Sequence, residues 1–262
     1  MSRSKITITG LGYPPYTLTE EIETAIKRST HIINTGEIAT NDLTRLFGEK
    51  EIVSIKQAHQ FGEDRADTYR RMTDQIQNHA GDFVEAILPV VGNPSVLEGV
   101  ASILLADQTF DVSVTGGRSI IEYTLDKLPL LRFSGFSVVD SSNGLSAIKC
   151  HEDRPCIILQ AGRGGVKLNT MGYPPRKEWW RRLFGRLQQL YPGDASVYFF
   201  NLGSVPELAA AKLDDHLEQF LPHLTQQVTL VVVPRSPLGF ESSADLLSGI
   251  ISPIEYMLKD DA

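Results

Sequence analysis

The chain has 262 residues with 25 basic and 32 acidic side chains, a formal charge of −7 at pH 7, and 42% hydrophobic against 22% charged residues. These are the proportions of a globular protein long enough to bury one large core or two modest ones. The acidic balance argues against a general nucleic-acid partner, and no apolar run reaches the roughly 18–20 residues of a membrane span.

The N-terminal stretch "MSRSKITITG" lacks the apolar core of a signal peptide and passes straight into a strand pattern. The segment "TLTEEIETAIKRS" predicts a helix, opened by a capping box of Thr17 and Glu20 and carrying an apolar face of Ile22, Ala25 and Ile26. Two short strands follow, "HIIN" and "EIVSI". The next helix begins inside "HQFGEDRADTYRRM", residues 59–72. There Arg65, Tyr69, Met72 and Ile76 recur on one face, while Asp67, Arg70, Arg71 and Asp74 fall on faces that read as solvated. Then come a strand in "FVEAILPVV", a helix in "SVLEGVASILLADQ", a strand in "FDVSVTGG" and a helix in "SIIEYTLDKL". Strands alternating with helices predict a largely parallel sheet covered on both faces.

The pattern changes near residue 130. "FSGFSVVD", "LSAIKC", "CIILQAG", "ASVYFFNLG" and "VTLVVVP" read as strands, with one strong helix, "KEWWRRLFGRLQQLY", and a weaker one near "DDHLEQFLPHL". The expectation is an α/β protein with an N-terminal α/β domain over 1–129, a mixed α/β domain over 130–235 and a tail over 236–262. Cys150 and Cys156 match no metal or redox spacing and read as ordinary core or surface thiols. The expected location is the cytoplasm, with no membrane partner.

Three turns stand out. In "TITGLGYPP", Gly10 and Gly12 either make a tight turn or let backbone approach a ligand. The dinucleotide fingerprint is not met, because Pro15 stands where its third glycine belongs. In "VVGNPSV" and "SVTGGRSI" a strand ends in a glycine turn before a helix. Ligands of open α/β sheets sit outside the carboxyl ends of strands, where helix N-termini offer unpaired N–H groups. The two turns either face one crevice or are ordinary connections. The basic and aromatic "PPRKEWWRRLFGRL" puts Trp180, Leu183, Leu187 and Leu190 on one face, which favours an amphipathic helix over a nucleic-acid patch. "QAGRGGVKL" lacks the ending of a phosphate loop. The histidines show no metal-ligand spacing, and no hydrolytic triad or nucleophile elbow is found.

In order and spacing, "ITGLG", "VVGNPSV" and "VTGGRSI" resemble the tetrapyrrole (corrin and porphyrin) methylase superfamily over residues 5–235. The resemblance implies a two-domain, S-adenosyl-L-methionine-dependent methyltransferase that is a homodimer. It also implies a mainly parallel N-terminal sheet, a mixed C-terminal sheet and a cofactor cleft between them. "RADTYRRM" is similar to the Arg-x-Asp-Thr-Tyr-x-x-Met segment of borosin-type peptide backbone α-N-methyltransferases, and "LYPGDASVYFFNLGSVP" and "VTLVVVP" look like their second domain. What this implies is a separate ribosomal precursor peptide as substrate and S-adenosyl-L-homocysteine as product. Arg65 and Tyr69 would be catalytic, with His59 where many borosin enzymes carry a tyrosine. Val91, Asn93, Val96, Ser119, Ile120, Gln160, Leu202 and Thr229 would contact the cofactor, and no metal is required. The sequence departs from the family at Gly92-Asn93-Pro94 and at Gly116-Gly117-Arg118-Ser119, and carries no fused substrate arm. The alternatives are a small-molecule or tetrapyrrole methyltransferase and a non-catalytic cofactor-binding scaffold.

The chemistry fits the residue types. An amide nitrogen is a poor nucleophile because its lone pair is delocalised into the carbonyl. A guanidinium aimed at the carbonyl oxygen would act as an oxyanion donor worth ~3 kcal/mol. A tyrosine one turn further on could relay or accept the proton. His59 could be a second base or a pocket wall. Alternatively, Arg65 and Tyr69 merely stack.

Overall fold

A computed structural model describes residues 3–16, 18–96, 99–128, 131, 135–164, 177–201, 207–213, 217–225 and 227–234. Thr17, Leu202, the expected boundary between 129 and 130 and the expected tail over 236–262 lie outside the described residues. The chain divides into two compact units, the first running to Tyr123 and the second beginning at Thr124.

The first unit is built on β1 (Lys5–Gly10), β2 (His31–Asn34), β3 (Glu51–Ser54), β4 (Glu85–Val90) and β5 (Asp111–Thr115). They stand in the order β3-β2-β4-β1-β5 and every pairing is parallel. Such a sheet must be covered on both faces, and the sequence supplies two apolar layers. Helices α1 (Glu20–Arg28) and α2 (Thr40–Phe47) cover one face, where Ile22, Ala25, Leu43 and Phe47 pack with Ile32 and Ile87. Helices α3 (Arg65–Asn78) and α4 (Gly99–Ala106) cover the other, where Met72, Ile76, Val100 and Leu104 pack with Ile6, Ile8 and Leu88. Helix α5 (Ile120–Lys127) follows β5.

Two local expectations change. The cap of α1 is Thr19, whose hydroxyl accepts from the Ile22 N–H at 3.3 Å, and Glu20 opens the helix instead of closing a capping box. Helix α2 is absent from the sequence-based expectations. It has eight residues and only Leu43 and Phe47 are buried, so its apolar stripe is too short to stand out from a polar stretch.

The second unit holds β6 (Ser137–Asp140), β7 (Cys156–Leu159), β8 (Ser196–Asn201), β9 (Glu207–Lys212), β10 (Val228–Val233) and helix α6 (Lys177–Leu190). The strand order is β6-β7-β10-β8-β9, with β6 parallel to β7 and the other pairs antiparallel. The sheet is therefore mixed, as the sequence predicts. Helix α6 buries Trp180, Leu183, Phe184 and Leu187 against Ile158, Phe199 and Leu230, while Arg181 and Arg182 are exposed.

Two expectations are corrected here, and one strand is added. "LSAIKC" is not a strand: Leu145–Ala147 form a 3-10 turn. Bonds from the Ala147 N–H to the Gly144 carbonyl and from the Ile148 N–H to the Leu145 carbonyl occupy groups that a ladder would need. The weak helix is a 3-10 segment, Leu217–His223, with Pro222 inside it, where a missing N–H removes an α-helical bond. Strand β9 was not foreseen, because "ELAAAK" lacks the β-branched residues that mark strands.

Cys150 and Cys156 are not separate thiols. They pair as a disulfide, their Cα atoms 6.1 Å apart, after the turn closed by the Arg154 N–H on the His151 carbonyl folds the chain back. No helix among the described residues is long and apolar enough to cross a membrane.

Candidate functional site

Strand order marks a candidate site in the first unit. From β1 the chain crosses to β2 by α1 on one face, and from β4 it crosses to β5 by α4 on the other. Neighbouring strands whose connections leave in opposite directions open a crevice at their carboxyl ends. Here those strands are β1 and β4, and the turns above them are Leu11–Tyr13 and Val91–Val96.

These turns are fastened through backbone. The Gly12 N–H donates to the Gly92 carbonyl at 3.1 Å and the Gly92 N–H to the Gly12 carbonyl at 2.8 Å. Both residues have positive φ, 69° and 81°, where glycine is at ease. The turn after β5 closes on them. A Cβ on Gly117 would stand 2.3 Å from the Gly10 carbonyl carbon and oxygen, and one on Gly10 would stand 2.6 Å from the Gly117 nitrogen. Only glycine fits at either position.

Asn93 ties the turns together. Its side-chain amide donates to the Gly117 carbonyl at 2.7 Å, and its Oδ1 accepts from the Ser95 N–H at 2.9 Å. Val91 and Val96 flank it, both half-buried. Ser119 caps α5 reciprocally: its N–H donates to the Glu122 carboxylate at 2.7 Å, and its hydroxyl accepts from the Glu122 N–H at 3.1 Å. Ile120, the first residue of α5, is 5% exposed.

Beneath the junction, Thr9 and Thr115 lie side by side in register on β1 and β5. Both are buried, and neither hydroxyl has a hydrogen-bond partner among the described residues. Two residues further down, the Thr7 and Ser113 hydroxyls bond each other at 3.2 Å.

Helix α3 brings the Arg–Tyr segment to the same end of the sheet. Asp64 caps it, accepting from the Ala66 N–H at 2.7 Å, and Arg65 is its first residue. The expected face is present: Met72 and Ile76 are fully buried, Tyr69 is half-buried against the same core, and Arg65 is half-buried. The Tyr69 ring lies on Gly99, where a Cβ would be 2.3 Å from two ring carbons. Gly99 opens α4 just after the Val91–Val96 turn, so Tyr69 is packed beside the β1–β4 crevice. His59 follows the 3-10 turn Lys56–Ala58 at the carboxyl end of β3.

Arg71 departs from expectation. Its guanidinium is not solvated: Nε and Nη2 donate to the Ala58 carbonyl at 3.3 and 3.2 Å, and Nη2 pairs with the Glu63 carboxylate. Asp67, Arg70 and Asp74 are exposed, as the sequence predicts.

Sequence reasoning passed over a second group at this end of the sheet. The Tyr13 ring meets the Tyr123 ring edge-on at 6.1 Å, and the Arg118 guanidinium lies 5.4 Å from the Tyr123 ring centre. Tyr13 also packs on Gly92, its hydroxyl 3.1 Å from where a Cβ would be. Burial, and next the Glu37 carboxylate, push the Tyr13 phenol up to about 12, against the Ile120 N–H that favours the phenolate. Burial likewise raises Tyr123, opposed by Arg118. No periodicity marks these residues; the sole sequence signal is aromatic and charged side chains within the glycine turns.

In the second unit Gln160 follows β7 in the left-handed conformation, φ 53°, the one described non-glycine residue with positive φ. The Ser141 hydroxyl donates to the Leu159 carbonyl at 3.0 Å and to the Gln160 carbonyl at 2.9 Å, which holds that conformation. Thr229 lies on β10 opposite Phe200 and is buried. Leu202 lies outside the described residues.

No family model matches the chain, and no curated protein sequence matches it. Solved structures do. Diphthine synthase superposes with a TM-score of 0.60 at 15% identity, over 88% of this chain and 90% of that one. A uroporphyrin-III C-methyltransferase from Thermus thermophilus, complexed with S-adenosylhomocysteine, gives 0.59 at 16% identity over 88% and 92%. The precorrin-6Y methylase of Archaeoglobus fulgidus gives 0.55 at 17% identity over 88% and 98%. The likeness is one of fold: an α/β chain with a parallel five-stranded sheet and a mixed second sheet, matching the fold of these methylases.

Proposed function

We propose that the protein is an S-adenosylmethionine-dependent methyltransferase that N-methylates backbone amides of a separate ribosomally made peptide, as borosin-type enzymes do. The observation that carries this reading is the packing of Tyr69 on Gly99, which sets the Arg65–Tyr69 helix beside the β1–β4 crevice. The fold is that of methyltransferases, one of them solved with S-adenosylhomocysteine.

The residues present fit a nucleoside cofactor. Gly10, Gly92 and Gly117 pack backbone on backbone and so hold the strand-end turns, which carry Val91, Asn93, Val96, Ser119 and Ile120, in one place. Val91, Asn93, Val96, Ser119 and Ile120 would line the cofactor site in this unit. When bound, the cofactor supplies an electrophilic methyl group. Arg65 stays charged in a closed site and stabilises the negative charge that develops on the amide oxygen. Tyr69 takes or relays the amide proton, and His59 serves as a second base or as a wall. The homodimer belongs to the same proposal.

The test has two stages. Calorimetry should show micromolar binding of S-adenosylmethionine and S-adenosylhomocysteine. Incubation with a precursor peptide encoded beside the gene should add methyl groups to backbone nitrogens, read by tandem mass spectrometry. Arg65→Lys and Tyr69→Phe should abolish transfer without abolishing cofactor binding; unchanged transfer by both would sink the reading. Two structural neighbours, a precorrin-6Y methylase and a uroporphyrin-III C-methyltransferase, favour one alternative, a tetrapyrrole acceptor. Methyl transfer to a porphyrinogen or precorrin would replace the peptide reading.

A further inference from the structure

We propose that Arg71 is a positioning residue: it holds the segment carrying His59 against α3 and so fixes where His59 stands relative to Arg65 and Tyr69. The chemical consequence rests on the methyl-transfer reading, whereas the holding role rests on contacts alone.

The surroundings of Arg71 separate it from an ordinary surface arginine. Its side chain is 32% exposed, against 67% for the neighbouring Arg70. Arg70 pairs with Asp67 within its own helix. Such exposed i,i+3 pairs organise nothing beyond the helix surface. Arg71 instead reaches out of the helix and grips both ends of one segment. At the near end Nε and Nη2 converge on the Ala58 carbonyl, and at the far end Nη2 meets the Glu63 carboxylate.

Ala58 is fully buried and His59 is the next residue. Asp64, directly after Glu63, caps α3. The segment is thus fastened at its start, at its end and to the helix it leads into. A planar guanidinium with donors in a fixed fork can serve carbonyl and carboxylate together, which an ammonium cannot match. A loop held at one end only samples many more conformations, and a misplacement of about 1 Å can cost on the order of a hundredfold in rate.

The experiment compares Arg71→Ala, Arg71→Lys and Glu63→Gln with the parent in the full chain. Hydrogen exchange read by mass spectrometry should show amides 59–63 exchanging at least about tenfold faster in Arg71→Ala. The amides of β1 and β4 should be unchanged, which establishes that the variant is folded. The kcat for methyl transfer should fall on the order of tenfold to a hundredfold, with cofactor affinity within about twofold of the parent. Arg71→Lys should recover less than half of the loss, and Glu63→Gln should show a smaller loss of the same kind. Unchanged exchange at 59–63, or faster exchange with unchanged kcat, overturns the proposal. A parent that methylates no peptide overturns the methyl-transfer reading alone, and the exchange data still decide whether Arg71 holds the segment.

Discussion

The side-chain amide of Asn93 donates to the carbonyl of Gly117 at 2.7 Å, so a side chain from the turn after β4 fastens the turn after β5. Asn93→Asp replaces the donor by a carboxylate oxygen facing a carbonyl oxygen. The expected cost is about 1–3 kcal/mol of stability, with weaker cofactor binding. Urea denaturation and calorimetric titration of the variant read both effects.

Gly117→Ala should disturb the same junction through backbone. The new Cβ would meet main-chain atoms at 2.3–2.5 Å, with no flexible side chain to give way. Backbone displacement of this kind costs about 1–3 kcal/mol in well-packed sites. The expected outcome is a lower Tm and loss of S-adenosylhomocysteine binding. Normal binding at full stability would show that the three turns do not form one unit.

Gly99→Ala probes Tyr69 through its neighbour. The methyl group would displace the ring, since it would stand 2.3 Å from two ring carbons. Methyl transfer should fall while cofactor affinity stays close to that of the parent. Steady-state kinetics alongside calorimetry separates these.

Thr9 and Thr115 each bury a hydroxyl that has no partner among the described residues. Removing an unsatisfied buried group while keeping the side-chain shape should stabilise the fold. Thr9→Val and Thr115→Val should each gain about 1 kcal/mol, read as a raised denaturation midpoint.

Tyr13 gives a pH dependence with a definite sign. Its phenol, pushed up to about 12, keeps its proton in the folded state after the unfolded chain has lost it near pH 10. The folded state then binds more protons, so stability falls as pH rises from the unfolded value through the folded one. The full difference is roughly 2–3 kcal/mol. Tyr13→Phe should flatten the decline between pH 10 and 12 in denaturation curves taken from pH 9 upwards.

Much of the framework was legible because it rests on periodicity. The apolar stripe of α6 and the buried run of β4 are properties of neighbouring residues, and they led to the mixed and parallel sheets that form. The three glycine turns were legible as features. That two of them face one crevice stood as one of two readings, and the contact of Gly10 with Gly117 was not legible, because it spans strands that only the fold brings together. Arg71 was misread for the same reason: its position on the helix points outward, and nothing local shows that Ala58 and Glu63 return to meet it. The disulfide was missed because the spacing of Cys150 and Cys156 matches no known framework, and only the turn between His151 and Arg154 brings the two together.

The strand order has a consequence for how the chain is made. β1 precedes the other strands of its sheet in the chain, yet both its neighbours, β4 and β5, lie at residues 85–115. β2 and β3 can pair with each other as soon as they appear. The first strand must wait, with Ile6 and Ile8 uncovered, until most of the first unit has been translated. A nascent chain halted before Glu85 therefore carries an apolar strand with no sheet to join, which makes it a natural client for a chaperone at that stage of synthesis.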